Sequence, residues 1–121
     1  MKTTYETGLQ GERSAESYLA SRGMICLERR YRTRQGEIDL VMKEGDTLVF
    51  VEVKTRKRGE AGSGLMAVGA EKQRRIARAA MVYLMKTHRM NAAIRFDVVE
   101  LSCGEILHIP NAFQPGGMFF R

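Results

Sequence analysis

The 121-residue sequence predicts one α/β domain, an α-β-β-β-α-β core whose mixed central sheet is flanked by helices. Three observations predict it. Helical spacing opens the chain, paired apolar runs around a turn follow, and a second helical stretch separates that hairpin from a further strand-like run.

Taken in order, Ala15, Tyr18, Leu19 and Arg22 keep helical spacing over residues 5–22, and Gly23 suits the C-terminal cap. Residues 24–31 read as a weak strand ending in a basic stretch. Residues 37–43 and 46–54 read as the arms of a hairpin around Glu44-Gly45. A basic, glycine-containing loop is expected over 55–64 and a helix over 67–88. Strands are expected over 93–101 and, shorter, over 105–109. The tail 110–121 is interrupted by glycine and proline and reads as irregular, so the core spans about residues 8–109 of a single domain, 1–121. Hairpins pair antiparallel, whereas the second helix, crossing between strands, makes its pair parallel.

Hydrophobic residues make up 44% and charged residues 28% of the chain, as in ordinary globular proteins. No apolar run approaches the roughly 18 residues that suggest a membrane span, and Met1-Lys2-Thr3-Thr4-Tyr5-Glu6 lacks a signal's apolar stretch. No membrane association and a cytoplasmic location are expected. Cys26 and Cys103 sit in apolar sequence surroundings and read as buried free thiols; without a CxxC pair or matching histidine spacing, a zinc site is not expected. The net charge of +6 favours a polyanionic partner, nucleic acid above all. The basic residues cluster around Arg29–Arg34, Lys54–Arg58 and Lys72–Arg75.

Two acids stand where burial is expected. Glu52 interrupts the apolar run Leu48-Val49-Phe50-Val51, and Asp39 lies between Ile38 and Leu40. An ionised carboxylate there is costly unless paired, hydrogen-bonded or bound to a metal. With Glu44-Gly45 as a two-residue loop, Asp39 falls opposite Phe50 and Glu37 opposite Glu52. Asp39, Glu52 and Lys54 then share one face, with the acids as diagonal neighbours roughly 7–8 Å apart at the backbone. Salt bridging explains one such residue; three on one face point to a site. Two carboxylates suit Mg²⁺ or Mn²⁺, which keep their other positions for water and phosphate oxygens. Lys54 would orient the attacking water, help deprotonate it or neutralise developing charge.

The blocks Gly36-Glu37-Ile38-Asp39-Leu40-Val41 and Val49-Phe50-Val51-Glu52-Val53-Lys54-Thr55-Arg56 resemble those of the YraN family of bacterial proteins. That family in turn resembles the PD-(D/E)XK, or restriction-endonuclease-like, nucleases, including archaeal Holliday junction resolvases. The likeness extends to Gly11-Glu12 with Ala15-Glu16, to Lys72 and to Arg95-Phe96-Asp97-Val98. It implies a restriction-endonuclease-like core, Asp39 and Glu52 as metal ligands with the Val53 carbonyl as a third, and Lys54 as the catalytic lysine. Glu16 matches a glutamate that often joins the site in the resolvase-like branch. Resolvase-like proteins are often dimers, which extends to a homodimer here. Ile38 stands where the superfamily motif has proline, and Arg30 where asparagine is expected before Tyr31-Arg32.

Beside that resemblance, Glu16 either reaches a site at the sheet edge or pairs with Arg13 or Arg22, while Glu12 reads as solvated. Lys72 lies on an apolar stripe with Val68 and Ile76, where it snorkels outward or points at an acidic pocket. Arg32, Arg34, Arg56, Lys57 and Arg58 are candidate backbone contacts to nucleic acid, as is Lys72. Tyr31 reads as core sooner than as a stacking platform, Arg95 and Asp97 as a strand's polar face, and neither His88 nor His108 carries a role.

The leading functional expectation is a Mg²⁺- or Mn²⁺-dependent endonuclease acting on DNA sooner than RNA, with branched or damaged structures as candidate substrates. The alternatives are a non-catalytic nucleic-acid-binding module on a nuclease scaffold and a protein-interaction subunit whose acids only form salt bridges.

Overall fold

Apolar residues on both faces of the central hairpin organise the molecule. Leu48 and Phe50 enter one buried cluster, Val49 and Val51 the other. A strand buried on both sides needs a covering layer on each. The computed structural model describes residues 4–56 and 68–115 and supplies those layers. The element order is α1 (Thr4–Ser21), β1 (Ile25–Arg32), β2 (Glu37–Glu44), β3 (Thr47–Arg56), α2 (Ala70–Lys86), β4 (Ala93–Ser102) and β5 (Glu105–Phe113). The strands form one sheet in the order β1-β2-β3-β4-β5. Only β3 and β4 run parallel, because α2 crosses over between them; the other neighbours are antiparallel. The expected α-β-β-β-α-β core and mixed sheet are therefore present.

Ala15 and Leu19 of α1 pack with Leu40, Met42, Val49, Val51 and Val99 on one face. Ile76, Ala79, Ala80, Tyr83 and Leu84 of α2 pack with Val41, Phe50, Phe96 and Val98 on the other. Tyr31 belongs to the second core, edge-on to Tyr83 at 5.3 Å. At the end of α1, Met24 N–H reaches back to Leu19 O at 3.1 Å, and Gly23 takes φ 95°, a conformation that costs glycine little.

Several sequence expectations are corrected. The hairpin loop is Gly45-Asp46, since Glu44 pairs with Thr47, so Phe50 faces Val41 and not Asp39. Thr55 and Arg56 lie in β3, not in a loop. β5 passes through Pro110 to Phe113; it is an edge strand, where a missing N–H costs little, and a register shift near Asp97 absorbs the irregularity. Cys103 is exposed at the β4–β5 turn and Cys26 half-buried, both as free thiols. Arg95 and Asp97 do not form a solvated face. The Asp97 side chain is fully buried and is bonded by Arg95, by His108 at 2.7 Å and by the Asn111 N–H at 2.9 Å. Burial pushes the Asp97 carboxyl up, but the hydrogen bonds from His108, Arg95 and the Asn111 amide outweigh it and hold the carboxyl below its ordinary range. No described helix is long and apolar enough to cross a membrane.

A candidate metal and nucleic-acid cleft

The β2–β3 ladder runs from Glu44↔Thr47 to Leu40↔Val51, and Asp39 and Glu52 are the next residue of each strand at its open end, close enough to interact through their side chains. The true register differs from the expected one by two residues. A two-residue shift preserves side-chain direction, so the two acids still come together. The pleat breaks at this point. Leu40 belongs to the α1-side core and Ile38 to the α2-side core, although residues two apart in a regular strand share a face. Across from Asp39, Arg30 takes φ 49°. Asp39 spends one oxygen, Oδ2, on the Val53 N–H at 2.8 Å.

Glu52 is 5% exposed and its Oε2 is ion-paired with Nζ of Lys72, reaching in from the first turn of α2. Burial, then the charge of Glu52, pushes the Asp39 carboxyl up from 3.8 to about 8, against the Val53 amide and the Lys72 ammonium. Burial pulls Lys72 down, but its hydrogen bond to Glu52 and the charges of Glu52 and Asp39 leave it raised. Burial and the Glu52 charge together outweigh the Lys72 ammonium at Asp39.

The acids open onto a cleft of about 780 Å³ whose walls include Arg32, Arg34, Glu37, Lys72 and Arg75. Its rim is the β1–β2 loop. Thr33 Oγ1 accepts the N–H groups of Gln35 and Gly36 and donates to Gly36 O, which folds the loop on itself. The loop rests on the α2 backbone: a Cβ on Gly36 would stand 2.8 Å from the Arg75 carbonyl carbon. Any side chain at Gly36 has to lift the rim off α2.

Not every expected residue gathers here. Lys54 follows Glu52 by two positions, is half-buried, aligns with Glu100 in the parallel ladder and does not line the cleft. Glu16 packs on the α1 side and is held by both Arg29 Nε and Nη2 at 2.7 Å, away from the cleft. Its expected partners were Arg13 or Arg22; β1 brings Arg29 closer. Glu12 is not solvated: Arg30 Nε reaches it at 2.8 Å. Burial raises its carboxyl against that hydrogen bond, and the Asp39 charge raises it further. Of the two helix glutamates, the one coupled to the acids is thus Glu12. Arg56 pairs with Glu100 at 3.3 Å and lines a different cavity, while Lys57 and Arg58 lie outside the described residues. Glu37 does not face Glu52; it pairs across the strands with Arg32 and lines the cleft beside it.

Asp39 and Glu52 fit a hard divalent cation. They are neighbouring oxygen donors whose mutual repulsion a cation relieves, and Mg²⁺ commonly takes only one or two carboxylates. Among the described residues no three His, Cys, Asp or Glu side chains cluster, so water, backbone and phosphate oxygens would complete such a shell. The repulsion has a consequence for stability. A carboxyl raised in the folded chain holds a proton that the unfolded chain releases between pH 4 and 8, so the folded state loses stability as pH climbs through that window. Without metal, Asp39→Asn is expected to be more stable than the wild type at pH 8 by about 1–3 kcal/mol, a value discounted for partial solvation, and level with it near pH 4. Urea denaturation at both pH values checks this.

Residues 11–101 match the model of the uncharacterised protein family UPF0102. A UPF0102 protein of Geobacter metallireducens is 45% identical over 111 residues, covering 88% of this chain and 91% of its own. One from Methylococcus capsulatus is 48% identical over 98 residues, covering 81% and 79%. One from Saccharophagus degradans is 45% identical over 109 residues, covering 89% and 92%. With the family's model spanning most of the described sheet and relatives this similar over about four fifths or more of their length, the chain belongs to the UPF0102, or YraN, family.

Proposed function

We propose that this protein is a Mg²⁺- or Mn²⁺-dependent nuclease that hydrolyses phosphodiester bonds in DNA at the cleft between β2 and α2. The observation that carries the reading is the juxtaposition of Asp39 and Glu52, two buried, mutually repelling carboxyl groups beneath a basic rim. Asp39 and Glu52, with the Val53 carbonyl, would hold the cation, which supplies Lewis acidity to the scissile phosphate and a more acidic bound water. The chain's own groups do the rest. The Val53 N–H fixes one Asp39 oxygen and so orients the carboxylate. Lys72 offsets the Glu52 charge while the site awaits substrate and lies close enough to meet a phosphate oxygen in the cleft. Lys54 remains in the proposal as a second ammonium two residues along β3 from Glu52, as the nuclease resemblance implies. Arg32, Arg34 and Arg75 hold the backbone on the rim.

The Lys72–Glu52 ion pair favours a second reading, a nucleic-acid-binding module without catalysis, because it satisfies the buried carboxylate with no metal at all. Incubating the protein with labelled linear and branched DNA in Mn²⁺ or in EDTA separates the two. The nuclease reading expects metal-dependent cleavage; binding in EDTA with no cleavage under any divalent metal would leave the module.

A further inference from the structure

The β1–β2 loop has a second side. Beyond the acid cleft, Arg32, Thr33, Arg34 and Gln35 also wall a separate groove of about 550 Å³ closed by Val82 and Lys86 of α2. The two depressions share the loop as a common wall but use different turns of the helix. Lys72, Arg75 and Ile76 line the first; Val82 and Lys86 line the second. Their chemistry differs too. Among the described residues that line the second there is no acid: its charged walls are the guanidinium groups of Arg34 and of Arg32, the latter also paired with Glu37, and the Lys86 ammonium. Its charge therefore favours an anion over a divalent cation.

The geometry points to this groove as an anchoring site for the phosphate backbone of the nucleic acid, remote from the scissile bond. The inference rests on the nucleic-acid reading above and extends it. The centres of the two helix segments lie about ten residues apart, or about 15 Å at 1.5 Å per residue. At about 3.4 Å per nucleotide along one strand of a duplex, that is roughly four to five nucleotides. A single phosphate cannot occupy both depressions, so a strand engaged at the acids reaches the anchor only if it continues that far. Arg34, exposed on the shared wall, faces backbone on either side of it, and Lys86 belongs to the anchor alone.

The test is fluorescence anisotropy in EDTA, with end-labelled duplex DNA of about 12 base pairs and, as the short probe, a labelled dinucleotide, over a salt series. Lys86→Glu is compared with Arg13→Glu, an equal charge change on the exposed side of α1. Lys86 is exposed in the last turn of α2, so its replacement leaves the fold intact at the cost of a small helix-terminus effect, and a cooperative melt only a few degrees lower verifies this. Lys86→Glu is expected to weaken binding of the duplex about tenfold and to reduce the slope of log K against log salt by about one, the loss of one phosphate contact. The dinucleotide is expected to bind weakly to both variants alike. Equal slopes for Lys86→Glu and Arg13→Glu, with the wild type binding well, would overturn the anchor alone. A wild type that binds neither probe at low salt would overturn the nucleic-acid reading and the anchor with it.

Discussion

Replacing Glu52 by glutamine is expected to reduce Mn²⁺-dependent DNA cleavage by about 10³-fold while leaving the metal-free protein folded. The two halves of that expectation come from the same contacts. Glutamine keeps the shape of the side chain but removes a formal charge from a position only 5% exposed. The remaining carboxylate, Asp39, then lacks the partner with which it would share a cation. At the same time, the Glu52 charge is the second largest cause, after burial, of the raised Asp39 carboxyl, and its removal relieves that repulsion. Lys72 loses its ion pair but is half-exposed and returns to water at little cost. A gel assay of cleavage beside a thermal melt reads both halves. An unfolded variant would not count for the proposal, and a folded variant with wild-type cleavage would count against it.

The second large effect is on stability and lies outside the cleft. Asp97→Ala is expected to cost about 3–5 kcal/mol, because it strands three cationic or polar partners around a buried void. Asp97 is fully buried, Arg95 bridges it to Glu44 on the neighbouring hairpin at 2.6 Å, and His108 and the Asn111 amide tie the edge strand to it. One carboxylate thereby joins β2, β4 and β5. A carboxyl held below its ordinary value contributes its full stabilisation above about pH 4 and loses it as the pH falls lower, so wild type and variant are expected to converge in acid. Chemical denaturation at pH 7 and pH 3 measures both the gap and its closure. A gap under about 1 kcal/mol at pH 7 would show that the network is ornamental.

Much of this architecture was legible in the sequence, and the reasons are physical. Leu48-Val49-Phe50-Val51 announces a strand covered on both faces, and from that follow a helix on each side and a crossover. The hairpin register was misread because Glu44-Gly45 and Gly45-Asp46 are both plausible turns. The convergence of Asp39 and Glu52 survived because the error was two residues, and a one-residue error would have reversed it. Asp97 was missed because Arg-Phe-Asp-Val alternates as a half-exposed strand does. The available signal was the opposite charges of Arg95 and Asp97 on one face of a strand that the fold needed at its centre. Helix-to-strand pairings were the least legible: Glu12 with Arg30 and Glu16 with Arg29 depend on how α1 lies across β1, which no local pattern encodes. Position 30 illustrates this. Its positive φ is one that asparagine adopts readily, which accounts for the asparagine expected there; the arginine accepts the conformation and closes on Glu12.

The account stands on a single cation shared by Asp39 and Glu52, and calorimetric titration of the metal-free protein with MnCl₂ at pH 8 measures that directly. One Mn²⁺ per chain is predicted for the wild type, with binding lost in both Asp39→Asn and Glu52→Gln. Equal Mn²⁺ binding by all three proteins, or none by the wild type, would contradict it.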